Sequence, residues 1–267
     1  MMLNLERKRA LVLASSSGLG FAIADRLARE GASVVLSSRD RHRSNAAAEK
    51  IRSGLTSSNE GQKIVGTVAD VSKAASLTAL IEYAKKDLGG IDILVCNAGG
   101  PPPGAFQTHD DSAWTNAFEL TLMSVVRSIR GTYPLLRSSE SPAIAVIGSS
   151  SVKRPIPNLI MSNVFRPAVH ALITDLSAEL AADGIRINMI SPGRIHTDRV
   201  DQLDRAKAER VHKSFSQVRD EAIQAIPIGR LGTPEEFAKT VVYFLSDAAS
   251  YVTGQSIIVD GGLVRVL

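Results

Sequence analysis

Three polar side chains fall at spacings that could work on a carbonyl group. Ser149 lies in the serine-rich turn Gly148-Ser-Ser-Ser151, which follows the apolar run Ala143–Ile147. Ser162 comes thirteen residues later and Arg166 four after that. A serine hydroxyl can hydrogen-bond a carbonyl oxygen and orient it. The spacing i, i+4 places Ser162 and Arg166 on one helix face, where a guanidinium can hold ribose hydroxyls or a phosphate. Neither is a ready proton source. A serine hydroxyl is a far weaker acid than a phenol, whose reference pKa is about 10, and arginine stays charged near neutral pH. The candidate donors are Lys153, four residues after Ser149 in the turn leaving the strand, and a water held by Ser149 and Ser162. Asn163, His109 and His170 are nearby polar groups, with packing or loop roles favoured for the two histidines.

These groups need rigid elements to position them. Apolar runs at Ala10–Ala14, Ser33–Ser37, Ile64–Val68, Ile93–Asn97, Ala143–Gly148, Arg186–Ile190 and Ser256–Val259 read as strands covered on both faces. Amphipathic stretches such as Phe21–Glu30, Leu77–Leu88 and Glu235–Leu245 lie between them, and Pro167–Leu180 follows the serine turn. Alternation of this kind predicts a single-domain α/β fold: a Rossmann-type, doubly wound parallel sheet of about seven strands with helices on both faces. Residues 196–228 are charged and helix-prone without a strand, which suits a mobile flap over a cleft. With 44% apolar residues the 267-residue chain can bury one sizeable core. Its net charge of +4 is spread along the sequence, which predicts no nucleic-acid partner. No apolar run approaches membrane-spanning length, and no secretion signal is evident, so a cytoplasmic protein is expected. Cys96, the only cysteine, reads as a core residue. No metal is assigned.

A second cluster of small residues addresses a phosphate. The first strand runs into Ala14-Ser-Ser-Ser17-Gly18-Leu19-Gly20, and a helix follows at once. Small residues let the backbone approach a pyrophosphate, and the helix N-terminus offers free N–H groups. The candidate contacts are Ala14, Ser16, Ser17, Gly18, Leu19 and Gly20. About twenty residues on, the second strand ends at Ser37-Ser38-Arg39. An acidic residue there would bind the ribose of NAD; Ser38 and Arg39 instead suit the 2′-phosphate of NADP.

The serine, a residue thirteen on and another four beyond that have the spacing of the active-site signature of the short-chain dehydrogenase/reductases, which this chain resembles from about Leu5 to Gly262. The resemblance includes the small-x3-Gly-x-Gly loop, Asp70-Val71 after the third strand, Asn97-Ala98-Gly99 after the fourth, and Ser191-Pro192-Gly193-Arg-Ile195-His-Thr197. It extends to Gly229-Arg-Leu-Gly-Thr-Pro-Glu-Glu236 and the segment Tyr251 to Gly262. It implies that Asp70 and Val71 border adenine, that Asn97, Ala98 and Gly99 border the cofactor, and that Pro192, Gly193, Ile195 and Thr197 lie against the nicotinamide. It also implies a relay of asparagine, serine, tyrosine and lysine. Those positions here hold Thr121, Ser149, Ser162 and Arg166, so only the serine is kept, and Ala14 replaces the first loop glycine. The expectation is an NADP-dependent oxidoreductase acting on a small carbonyl or alcohol substrate, similar to 3-oxoacyl-carrier-protein reductases, with a non-standard proton relay. The resemblance implies a homotetramer or dimer. The alternative is a catalytically inactive NADP(H)-binding scaffold or redox sensor.

Overall fold

The apolar runs become parallel strands because helices cover both of their faces. A computed structural model describes residues 2–55 and 61–265. Among these, seven strands form one sheet: β1 (Arg9–Val12), β2 (Ser33–Ser38), β3 (Ile64–Val68), β4 (Ile93–Cys96), β5 (Ala143–Ile147), β6 (Arg186–Pro192) and β7 (Ser256–Val259). All pairs are parallel, in the order β3-β2-β1-β4-β5-β6-β7. Alternate side chains of each strand serve opposite layers. Ala10, Val12, Val34, Leu36, Ile93 and Val95 pack with α1 (Gly18–Arg29), α2 (Arg41–Gly54) and α9 (Pro234–Leu245). Leu11, Val35, Leu94, Cys96 and Val146 pack with α3 (Ala74–Leu88), α5 (Ser124–Leu136) and α6 (Ile160–Ala181). The remaining helices are α4 (Asp111–Phe118), α7 (Asp198–Val211) and α8 (Phe215–Gln224). No helix among the described residues is long and apolar enough to cross a membrane.

The predicted strands all form, with shifted ends that have local causes. β1 stops at Val12 because Ala14 adopts φ +46°, a turn conformation that leaves the strand. β6 runs two residues past Ile190: Pro192, at its last position, still has Val259 as its register partner in β7. The helix after the serine turn begins at Ile160 rather than Pro167, so Pro167 lies inside it. Its first turn is held by Asn163, whose amide accepts from Ile156 N–H (3.0 Å) and donates to Ile156 C=O (2.9 Å). Residues 196–228 fold into α7 and α8. Strand order reverses at β1, whose neighbours are β2 on one side and β4 on the other. Ligands of such sheets sit in the crevice at the carboxyl ends of the strands beside that reversal.

Candidate active site

The crevice is a cavity of about 340 Å3 at the carboxyl ends of β1, β4, β5 and β6. The turn after β1 makes one wall and is tied down from three sides. Ser15 N–H donates to Ser37 C=O (2.7 Å), Ser15 Oγ donates to Val12 C=O (2.7 Å), and Ala14 N–H donates to Ser37 Oγ (3.1 Å). Asn97 Nδ2 donates to Ala14 C=O (2.9 Å), joining the end of β4 to the same turn. A Cβ on Gly20 would lie 2.7 Å from both Ala14 O and Asn97 Nδ2, so only glycine lets α1 start this close. The N-cap of α1, Ser17, has extended backbone but makes no side-chain cap hydrogen bond. The first N–H groups of α1 are therefore left for an anion.

The far ends of β2 and β3 extend the crevice. Ser38, Arg39, Asp70 and Val71 lie there rather than in the enclosed cavity, whose lining also leaves out Ser16. Ser38 C=O accepts from Ala69 N–H (2.8 Å), which holds the two strand ends side by side. Burial raises the Asp70 pKa, but the hydrogen bonds from Ser72 and then the charge of exposed Arg39 hold the carboxyl below the usual range. Asp40, the nearest acid to the ribose position, caps α2 by accepting from Arg43 N–H (2.9 Å). That use lowers its pKa, and Arg39 stands exposed beside it.

Ser149, Ser162 and Arg166 all line the cavity, together with Asn97, Ala98, Gly99, Pro192, Gly193, Ile195 and Thr197. Ser149 Oγ accepts from Ser151 N–H (3.2 Å) and caps a short turn, so its own proton is available to a ligand. Ser162, 9% exposed, pairs with Ser151: the two Oγ atoms are 3.4 Å apart. Arg166 is 7% exposed and donates Nη1–H to Ile147 C=O (2.7 Å). Burial, and then the neighbouring charge of Arg199, push its pKa down to about 10, so it remains charged at neutral pH. Thr121 does not reach the cavity. It occupies a π-helical turn (Glu119–Met123) and shares a void of about 10 Å3 with Arg166, where Thr121 Oγ1 and Arg166 Nε are buried without hydrogen-bond partners.

One sequence expectation changes. Lys153 is exposed and lines neither space; its charge acts on His170, whose pKa it lowers after burial does. Lys153 ends the short turn Ser150–Val152, which Ser149 caps. His109 lies outside the lining too and turns inward against Gly104. Arg199 is the residue that sequence reasoning missed. It lines the cavity from the start of α7 and donates Nη2–H to Pro101 C=O (2.7 Å). Its signal was a basic residue two positions after Thr197. Cys96 is buried in the core, and burial pushes its thiol pKa up.

Comparison with known proteins agrees with this arrangement. Residues 13–264 match the family model described as enoyl-(acyl carrier protein) reductase. The chain is 34% identical over 261 residues to dehydrogenase/reductase SDR family member 4 of Bos taurus, covering 97% of this chain and 88% of that protein. The crystal structure of L-sorbose reductase from Gluconobacter frateurii, complexed with NADPH and L-sorbose, superposes with a TM-score of 0.92 at 30% identity over 100% of both chains. The NADPH-bound short-chain oxidoreductase from Pseudomonas aeruginosa PAO1 containing an atypical catalytic center superposes with a TM-score of 0.86 at 31% identity, covering 97% of each chain. The matches span the crevice walls as well as the sheet, and with them the chain belongs to the short-chain dehydrogenase/reductase family of oxidoreductases.

Proposed function

We propose that this chain uses NADP(H) to reduce a small carbonyl compound or to oxidise the matching alcohol. The observation that carries the reading is that one cavity joins the uncapped start of α1 to Ser149, Ser162 and Arg166. Exposed Arg39 at the adenosine end supports NADP over NAD, and two similar reductases are described with NADPH. A bound reduced nicotinamide supplies the hydride. Ser149 donates a hydrogen bond to the carbonyl oxygen. The Arg166 guanidinium, itself 7% exposed, offsets negative charge that develops on that oxygen and holds the ribose. Among the described lining residues there is no tyrosine, lysine, histidine or cysteine. Protonation of the alkoxide therefore falls to water ordered by Ser149 and Ser162. The void lined by Thr121 and Arg166 is the size of a single water, and both residues carry a buried polar atom without a protein partner, which supports a water-fed relay. A 3-oxoacyl group is one substrate to test.

The test is NADPH and NADH oxidation against a carbonyl panel, with Ser149→Ala beside wild type. Turnover with NADPH that falls roughly 10²–10³-fold in Ser149→Ala is the expected result. Tight NADPH binding with no turnover on any carbonyl would instead support the inactive-scaffold reading.

A further inference from the structure

Two arginines meet at the reacting end of the cleft, and neither is neutralised. Both line the cavity, and the charge of Arg199 helps depress the pKa of Arg166. Their protein acceptors are backbone carbonyls, Ile147 C=O for Arg166 and Pro101 C=O for Arg199. Among the described residues no carboxylate pairs with either. Asp198 is the single carboxylate of the lining, and it is solvent-exposed. Two partly desolvated cations beside one another are unfavourable unless an anion joins them.

The phosphate end of the cleft does not supply that anion at Arg199. Gly18 and Leu19 line the cavity at the start of α1, with Thr197 against Gly18, whereas the Arg199 guanidinium lies against Gly100 and Pro101 after β4. A Cβ on Gly100 would sit 3.0 Å from Arg199 Nη2 and 3.3 Å from Nε, so the bare glycine gives the guanidinium its seat. Its one protein hydrogen bond leaves four of five N–H donors for a ligand, in a fork that matches a carboxylate.

We infer that the substrate carries a carboxylate close to its reacting carbonyl and that Arg199 binds it. The substrate class is then a short oxo acid or hydroxy acid, in place of an acyl thioester or a neutral ketone. The reacting carbonyl rests on the oxidoreductase reading; the carboxylate site does not.

Binding and turnover test the two separately. Calorimetry on the protein saturated with NADP, which has no hydride to give, would compare pyruvate with methyl pyruvate and acetoacetate with methyl acetoacetate. Wild type is expected to bind at least one acid roughly 10- to 100-fold more tightly than its ester. Arg199→Met is expected to erase that preference, and Arg199→Lys to restore part of it, with the Kd for NADP changed less than about threefold in both. In turnover the Arg199→Met loss should fall on KM for the acid. Esters binding as well as acids in wild type would overturn the inference without any variant. So would Arg199→Met weakening NADP as much as the acid, which would assign Arg199 to the cofactor phosphates. Acid-selective binding with no NADPH oxidation would sustain the carboxylate site and remove the oxidoreductase reading; equal turnover of acids and esters would do the reverse.

Discussion

Ala14 shows how single residues in this site are held in conformations they would not choose alone. Its φ of +46° lies in the left-handed region that favours glycine. The conformation persists because both ends of the peptide are committed, to Ser37 Oγ and to Asn97 Nδ2. Ala14→Gly is therefore expected to stabilise the protein. Relief of about 1–2 kcal/mol of strain, less about 0.5–1 kcal/mol of extra chain entropy, leaves a gain of about 0.5–1 kcal/mol. Thermal unfolding would show it as a rise of about 2 °C, and an unchanged or lower midpoint would refute it. The same scale separates Asp40 from Arg39. They are adjacent, but the carboxylate is spent on a helix cap and the guanidinium is not.

At the scale of elements, α9 illustrates a start signal that sequence and structure share. Thr233, Pro234 and Glu236 form a capping box: Thr233 Oγ1 accepts from Glu236 N–H (3.2 Å), and Glu236 accepts from Thr233 N–H (2.9 Å). Arg230 adds two hydrogen bonds to the same carboxylate, at 2.6 and 2.8 Å. Arg230 first, then the Thr233 N–H, pull the Glu236 pKa from an ordinary 4.5 to about 2. The folded pKa is depressed, so the carboxylate favours the folded state fully above pH 4.5. That contribution fades below pH 4.5 and is lost as pH falls through about 2. Glu236→Gln is expected to flatten the pH dependence of unfolding in that window and leave its slope near neutral pH unchanged. Urea titrations at pH 2.5, 4 and 7 would check it; parallel pH profiles for the two proteins would count against it. The opposite end of α9 had no sequence signal. Arg186, at the start of β6, donates to Phe244, Leu245, Ser246 and Ala249 carbonyls and closes that terminus from a distant part of the chain.

At the scale of the whole molecule, several charges of the stretch from 196 to 228 form a paired network around Asp204. Asp204, almost fully buried, pairs with Arg194 from the segment after β6 and with Arg219 of α8 (2.7 Å). Arg219 also pairs with Asp201 at 2.5 Å, and the Phe215 ring lies between Arg205 and Arg219, each 4.9 Å away. Asp204 thus joins α7, which carries Arg199 into the cleft, to α8 and to the Pro192–Ile195 wall. Asp204→Asn leaves two arginines short of charge and is expected to cost about 2–3 kcal/mol locally. Amide hydrogen exchange should accelerate in α7 and α8 while β1, β4 and β5 keep their protection, and NADPH should dissociate faster. Exchange that is unchanged in α7 would remove this role for Asp204.

The strands, their approximate ends and the phosphate turn were legible in sequence because each depends on a contiguous run of residues. Continuous Val, Ile and Ala at 143–147, or glycines in the first turn of a helix at 18–20, carry their physical reason locally. The identities of Thr121, Ser162 and Arg166 were equally legible, because residue identity at a fixed spacing needs no coordinates. Direction was not. Lys153 and Arg199 are both basic residues close to family motifs; one lies outside the crevice and the other inside it. A turn of three residues at 150–152 and a bond across the cleft to Pro101 made that difference. Ser162 found its partner in Ser151, and Arg166 its acceptor in Ile147 C=O, through packing of α6 on β5. Sequence alone determined which groups the chain owns and in what order they come. Tertiary structure decided which of them share a cavity, because burial, pairing and charge balance are set by residues far apart in the chain.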